Sequence, residues 1–184
     1  MSVFEYIILS FALAVPTMVT VRGCALKNPI RLTRGLGVSF LLALEHTALL
    51  LLGIGIGNML QFGVSEYDNL IYLGMLVVVA GRMFFNAFSK KEKPSYDIAK
   101  WVTVLLLGVA TGVNALFIGL GLGFRVLIEN DLWKVGIPLL IIVFLFSYLG
   151  IMYGRRKKEL RARRWMLLGV LFLLILAVKG AFFS

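Results

Sequence analysis

Residues 35–60 read GLGVSFLLALEHTALLLLGIGIGNML, an apolar run of 26 residues whose only ionisable side chains are Glu45 and His46. An α-helix rises about 1.5 Å per residue, so a helix of this length crosses the roughly 30 Å of bilayer hydrocarbon with some tilt. The run therefore predicts a membrane-spanning helix. It also raises the question of why two ionisable groups lie near its middle.

Five further apolar runs indicate the same kind of segment. They cover residues 3–21, 68–89, 99–124, 133–154 and 164–183. The chain of 184 residues is 60% hydrophobic with a mean hydropathy of +0.95, and its linkers are too short to form a soluble domain. We therefore predict an all-α integral membrane protein with six transmembrane helices, organised as a single membrane domain over 1–184.

Basic residues are unevenly distributed among the predicted loops. Of the 19 lysines and arginines, 15 lie in or beside the loops after the first, third and fifth spans, including the run RRKKELRARR at 155–164. This bias follows the positive-inside rule, which places these loops in the cytoplasm and both termini outside. The net charge of +10 then predicts contact with anionic lipid headgroups and not with nucleic acid.

The two halves of the chain are weakly similar to each other. SFALAVPTMVTVRG at 10–23 aligns with GVATGVNALFIGLG at 108–121, at an offset of 98 residues. We accordingly predict a first repeat over 1–89 and a second over 95–184. Each half holds three spans, and an odd number reverses the second half, so the prediction is an inverted 3+3 repeat. This architecture is common in transporters, with the binding site near the midplane.

Glycines recur at matching positions of the two halves. Gly53 and Gly57 fall on Gly150 and Gly154 at an offset of 97, and GLGLG at 119–123 has the same spacing as the first pair. These patterns lie inside predicted membrane helices with no preceding strand, so they are not dinucleotide-binding loops. They instead predict close approach between neighbouring helices.

The first and fourth spans carry polar or helix-breaking residues at equivalent positions. Pro16 removes a backbone hydrogen bond and is aligned with Asn114. Freed carbonyls near Pro16, the Asn114 amide oxygen and the hydroxyls of Thr17, Thr20 and Thr111 could together line a substrate or cation pathway, with the two spans packed against each other. The alternative is a packing kink with an interhelical hydrogen bond from Asn114.

Glu45 and His46 each leave two interpretations open. A charged side chain at a helix centre costs roughly 3 kcal/mol on an insertion scale, so Glu45 must pair, take up a proton or line a wet cavity. One interpretation is a structural ion pair with Arg82, which lies at a similar depth in the third span; the other is a cation or proton site. Adjacent helical residues point about 100° apart. His46 is therefore either a hydrogen-bonded interface residue or a separate ligand in the pathway.

Five stretches of the chain resemble a family of bacterial manganese efflux pumps. They are SFALAVPTMVTVRG at 10–23, EHTALLLLGIGIG at 45–57, GRMFFNAF at 81–88, ATGVNALFIGLGLGF at 110–124 and LGIMYGR at 149–155. The family consists of six-helix exporters that are distantly similar to the lysine exporter superfamily. The resemblance implies a small multi-pass transporter of the bacterial inner membrane, whose substrate is Mn²⁺ or another divalent cation.

The resemblance also implies a metal site that this chain alters. The family has a glutamate at the position of Glu45, and functional aspartates at the positions of Pro16 and Asn114. The remaining candidate metal ligands are then Glu45 and Asn114. A site with one carboxylate in place of three binds a dication less strongly, so the substrate of this chain can differ from that of the family.

Two classes of function therefore remain. The first is a cation transporter of the exporter type. The second is a transport-inactive relative that acts as a membrane interaction or assembly protein. An enzyme is not expected, because the sequence contains no nucleophile–base pair, metal triad or cofactor motif. No cofactor is expected either, and the sequence predicts no particular oligomeric state.

Overall fold

The computed structural model describes residues 3–60, 67–89, 96–124, 129–156 and 162–182. Within these residues the chain forms six α-helices and no β-strand. All six helices are long and apolar enough to cross a membrane. The predicted all-α membrane architecture is therefore confirmed.

The helices follow one another with short connections. They are α1 (Val3–Lys27), α2 (Leu32–Leu60), α3 (Asp68–Phe88), α4 (Trp101–Phe124), α5 (Glu129–Arg155) and α6 (Ala162–Phe182). Helix α1 ends at Lys27, six residues beyond the apolar run that predicted it. The difference arises because an apolar run stops at the first basic residue, Arg22, whereas a helix can continue through polar residues outside the hydrocarbon. The last turn of α1 holds Lys27, whose positive charge favours a helix C-terminus.

Helices pair across the two halves of the chain. The main contacts join α1 with α5, α2 with α4, and α3 with α6, while α2 also packs against α5. The expected packing of α1 directly against α4 is a minor contact, since each of them packs mainly against another helix. The bundle thus depends on contacts between the first three helices and the last three.

The helix pairs correspond when the two halves are exchanged. Replacing α1 by α4, α2 by α5 and α3 by α6 turns the α1–α5 contact into α4–α2, and the α1–α6 contact into α4–α3. Individual contacts correspond too. A β-carbon added at Gly150 would lie 2.6 Å from the carbonyl oxygen of Met18, and one at Gly53 would meet the carbonyl oxygen of Leu116. Met18 and Leu116 are equivalent at the offset of 98. The inverted repeat stays a prediction, which these matched contacts support.

Glycines allow the backbones of α2 and α4 to touch. A β-carbon added at Gly57 would lie 2.9 Å from the Cα of Gly123, and one at Gly119 would lie 3.0 Å from the carbonyl carbon of Leu50. Real β-carbons do not approach backbone atoms this closely, so a larger residue would force the helices apart. The GIGIG and GLGLG patterns are therefore helix-packing motifs, as predicted.

Polar contacts join the helices at both ends of the bundle. Near the N-terminus, Lys179 of α6 forms an ion pair with Glu5 of α1. At the opposite end, the Arg34 guanidinium of α2 donates to the carbonyl oxygen of Ala99 and lies 5.7 Å from the ring centroid of Trp101. Each contact links one half of the chain to the other, so both ends of the bundle are held across the halves.

We expect Gly53→Ala to lower the melting temperature of the purified protein in detergent. Its methyl group would overlap the backbone of α4, and overpacking of this kind typically costs about 1–3 kcal/mol. The matched control is Gly55→Ala in the same helix, where an added β-carbon meets nothing within 4 Å. Because alanine also favours helix over glycine, the control should match or slightly exceed the wild type. Equal melting temperatures for the two variants would contradict the close α2–α4 contact.

Candidate functional site

Glu45 lies in the interface between α2 and α4. Its carboxylate occupies the space in front of Gly108, where an added β-carbon would collide with the Glu45 Oε2. Both carboxylate oxygens are buried and have no hydrogen-bond partner among the residues that the structure describes. An unpartnered buried carboxylate is costly in its charged form. Glu45 is therefore a group that a proton or a cation would stabilise.

Arg82 does not form the predicted ion pair with Glu45. Its Nη1 donates instead to Oδ1 of Asn114 at 3.1 Å. The reason lies in the packing of the helices, since α3 contacts α4 and α6 and α2 is not one of its main neighbours. Similar depth in the membrane was thus an insufficient guide to this pair. The expected interhelical hydrogen bond of Asn114 is present, with Arg82 as its donor.

His46 is fully engaged in hydrogen bonds within the helix interface. Its Nδ1 lies 2.8 Å from the Leu42 carbonyl oxygen, and its Nε2 lies 2.9 Å from Thr17 Oγ1 of α1. A carbonyl oxygen can only accept, so Nδ1 carries the proton; in the neutral ring, Nε2 accepts from the Thr17 hydroxyl. The structure thus favours the interface interpretation of His46, because neither ring nitrogen has a lone pair available for a metal.

The other predicted pathway hydroxyls are bonded within their own helices. Thr20 Oγ1 donates to the Pro16 carbonyl oxygen at 2.8 Å, and Thr111 Oγ1 donates to the Leu107 carbonyl oxygen at 2.8 Å. Helix α1 runs through Pro16 without a break in its assigned span. Each hydroxyl thus donates its proton within its own helix, and the pathway through Pro16, Thr20 and Thr111 stays a prediction.

The two candidate metal ligands lie at different depths. The Glu45 carboxylate is level with Gly108, whereas Asn114 lies six residues further along α4, about 9 Å along the helix axis. An axial offset of this size does not favour one ion bound directly by both side chains, since cation–oxygen bonds are only about 2–2.6 Å long. The part of the chain that the structure describes also contains no group of three or more His, Cys, Asp or Glu residues able to hold a metal ion. In this conformation a cation at Glu45 would have one protein carboxylate.

Sequence reasoning missed the contribution of α4 to the Glu45 site. Gly108 makes room for the carboxylate, and Gly112 faces Leu49 and His46, with Nδ1 of His46 3.6 Å from an added β-carbon. Two small residues four positions apart are a known signal of close helix packing. The spacing of Gly108 and Gly112 could thus have located the surface on which Glu45 rests. Nothing in the sequence indicated that Thr17 would contact His46.

We expect Thr17→Val to destabilise the protein by about 1–3 kcal/mol, because it leaves the buried Nε2 of His46 without its hydrogen bond. The control is Thr20→Val, an identical change one turn along α1. Its hydroxyl bonds a carbonyl of its own helix and is only half-buried, so we expect a smaller loss. Thermal unfolding of both variants in detergent measures the difference. A larger loss for Thr20→Val would contradict the interface assignment of His46.

Comparison with known proteins identifies the family. The family model described as "Putative manganese efflux pump" matches residues 29–180. A protein of Methanocorpusculum labreanum named "Putative manganese efflux pump MntP" is 28% identical over 160 residues, covering 85% of this chain and 82% of that protein. A protein of Wolinella succinogenes named "Putative manganese efflux pump MntP 1" is 25% identical, covering 95% of this chain and 94% of that protein.

A third relative is closer in identity over a shorter region. A protein of Phocaeicola vulgatus named "Putative manganese efflux pump MntP" is 30% identical over 149 residues, covering 77% of this chain and 75% of that protein. No solved structure matches the chain significantly. The family model covers most of the chain, and the three relatives are matched over 75% to 94% of their own lengths. This chain therefore belongs to the manganese efflux pump family.

Proposed function

We propose that this multi-pass membrane protein exports Mn²⁺ or a related divalent cation, with Glu45 as the carboxyl group that binds the cation or an exchanged proton. Membership of the family and the names of the relatives support the class of function. The relatives are named as efflux pumps, and we propose no enzymatic activity for this chain. The residues around Glu45 supply the mechanism.

The observation that carries the proposal is the isolated Glu45 carboxylate. It is held inside a membrane bundle, against a glycine that leaves room for it, with no hydrogen bond to any described residue. A group that served only stability would gain from a partner, since the unpaired charge is costly in hydrocarbon. Carboxylate oxygen is also the ligand type that hard divalent cations such as Mn²⁺ prefer. Glu45 thus has the chemistry of a transient binding group.

The replacements at Pro16 and Asn114 bear on the substrate. With one carboxylate in place of three, the site offers less negative charge to a dication. Asn114 supplies a neutral amide oxygen, and that oxygen accepts a hydrogen bond from Arg82. We therefore propose that this chain binds divalent cations more weakly than a three-carboxylate site would, and that its preference among cations differs accordingly.

A second candidate function is a transport-inactive relative that acts in membrane interaction or assembly. The observation that favours it is that the other polar groups in the predicted pathway already make hydrogen bonds within the protein. His46, Asn114, Thr20 and Thr111 all hold hydrogen bonds inside the bundle. Such a protein would keep the fold and the polar contacts while lacking a complete site.

We expect the purified chain in liposomes to move Mn²⁺ across the membrane, and Glu45→Gln to abolish this flux. The amide keeps nearly the same shape and removes a costly charge, so Glu45→Gln should fold at least as well as the wild type. The matched control is Glu5→Gln, the same substitution at the end of α1, where Glu5 pairs with Lys179.

The control should retain Mn²⁺ flux, although loss of its ion pair could slightly lower its stability. Mn²⁺ entry into liposomes is followed with a trapped fluorescent indicator. Full flux through Glu45→Gln would remove Glu45 from the mechanism. A folded wild type with no flux for Mn²⁺ or other divalent cations would instead favour the second candidate function.

We propose that both termini face the outside, because the loops after α1, α3 and α5 carry most of the basic residues. A reporter enzyme that is active only outside the cytoplasm, fused after Ser184, should then be active. The same reporter fused in the basic stretch at 155–164 should be inactive. The opposite pair of results would overturn the proposed orientation.

A further inference from the structure

Two buried serine hydroxyls have no hydrogen-bond partner among the residues that the structure describes. They belong to Ser39 of α2 and Ser147 of α5, and both residues are fully buried, with 0% of their surface exposed. A buried hydroxyl without a partner has lost its hydrogen bonds to water and gained none in return, so it destabilises the fold. Unpaired groups of this kind in a folded protein call for a bound water or ion.

Other hydroxyls inside the bundle do form hydrogen bonds. Ser10 Oγ and Thr47 Oγ1 each donate to the carbonyl oxygen four residues earlier in the same helix, at 2.7 and 2.9 Å. Serines and threonines in helices commonly satisfy themselves in this way. Ser39 and Ser147 do not, so both hydroxyls are available to a ligand.

The contacts between α2 and α5 place the two serines opposite each other. Gly35 of α2 faces Ile151 of α5, since a β-carbon added at Gly35 would lie 3.3 Å from Ile151 Cγ2. Residues four positions apart lie on the same face of a helix, one turn along. Ser39 follows Gly35 by four residues, and Ser147 precedes Ile151 by four. In antiparallel helices these two steps lead in the same direction, so the hydroxyls come level.

A second contact further along the interface supports this alignment. A β-carbon added at Gly136 of α5 would lie 3.7 Å from Thr47 Cγ2 of α2. The contact point thus moves forward along α2 as it moves backward along α5, as antiparallel helices require. Twelve residues of α2 correspond to fifteen of α5 between the two contacts. The four residues from Gly35 to Ser39 then correspond to about five of α5, which ends beside Ser147.

The surroundings of the two hydroxyls favour a neutral ligand. The sequence contains no charged side chain at 35–44 of α2, at 135–154 of α5 or at 6–21 of α1, which packs against α5. A cation held among these segments would have no counter-charge, and an unpaired charge away from bulk water is costly. A water molecule carries no charge and can both donate and accept hydrogen bonds.

From this geometry we propose that Ser39 and Ser147 together bind one water molecule between α2 and α5, inside the membrane-spanning part of the bundle. The two hydroxyls form no hydrogen bond with each other. A bridging water joins oxygens up to about 5.5 Å apart, since each of its hydrogen bonds is about 2.8 Å long. Two polar partners are sufficient to hold a buried water.

The water bridge connects the two most closely packed helix pairs. A β-carbon added at Gly53 would meet the α4 backbone, and one at Gly150 would meet the α1 backbone, so α2 lies directly on α4 and α5 directly on α1. The α2–α5 contacts at Gly35 and Gly136 are made through side chains instead. The bound water therefore adds a polar link between the two pairs. This inference goes beyond the proposed function and holds whether or not the chain transports a cation.

A double-mutant cycle on the full chain in detergent tests whether the two hydroxyls share one ligand. Ser39→Ala and Ser147→Ala should each lower the melting temperature, because each removes one of the two partners of the water. The double variant should lose less than the sum of the two, since it leaves no unpaired hydroxyl. The control combines Ser39→Ala with Ser10→Ala, whose hydroxyl bonds within α1, and those two losses should add. Additive losses for Ser39 and Ser147 would overturn the shared site.

The wild-type chain tests the ligand directly and needs no substitution, so the test survives if a variant does not fold. A structure in a lipid nanodisc, at a resolution that shows ordered water, should contain one density peak about 2.7–3.2 Å from both hydroxyl oxygens. A direct hydrogen bond between the two hydroxyls, or a bond from each to its own helix, would refute the bridge even if the two losses are coupled.

A bound monovalent cation is the alternative that salt dependence separates from water. The melting temperature of the wild type is compared in sodium, potassium and choline chloride at equal ionic strength. For a water site we expect equal values, or differences that Ser39→Ala retains. A stabilisation by sodium or potassium that Ser39→Ala abolishes would assign the site to a cation and overturn the water. None of these results depends on Mn²⁺ flux, so this inference and the proposed function can fail separately.

Discussion

The backbone contact between α2 and α4 is the constraint on which the rest of the bundle depends. Lipid tails are as apolar as leucine, so helices in a bilayer associate through close van der Waals packing and not through a hydrophobic force between them. Gly53 and Gly119 provide that packing by placing no side chain between the two backbones. About three turns closer to the N-terminus of α4, Gly108 of the same interface leaves room for Glu45. The contact that joins the helices thus also creates the space for the proposed binding group.

The sequence was sufficient to predict the helices because the bilayer imposes a strict condition. Every backbone polar group in hydrocarbon must be satisfied within its own segment, so an apolar run of the right length is a helix. The glycine patterns were equally informative, since close approach leaves few residue types possible. Partners across helices were harder. Counting residues from the membrane surface gave Glu45 and Arg82 similar depths, but depth does not reveal that α3 packs on α4, which decides that Arg82 bonds Asn114.

Hydroxyl groups show a second limit of sequence reasoning. A threonine in a membrane helix suggests a polar pathway, yet its hydroxyl can donate to the carbonyl four residues earlier in the same helix. Thr20, Thr47 and Thr111 all do so. Thr17 differs by donating across the interface to His46, and the two threonines of α1 cannot be distinguished by composition or spacing. Which hydroxyl faces another helix depends on packing, and that information is spread over both helices.

The charges that remain in the membrane interior limit how tightly this protein could hold a dication. Near the midplane the described helices present one carboxylate, Glu45, and one guanidinium, Arg82, so the empty site is close to neutral overall. A bound dication would leave an excess of about two positive charges there, which the low dielectric makes unfavourable. Tight binding is therefore not expected. Weak binding is no obstacle to export, because a transported ion must leave its site as readily as it enters. We therefore expect the neutral residues Pro16 and Asn114 to bear on the affinity and selectivity of the proposed site more than on the capacity to transport.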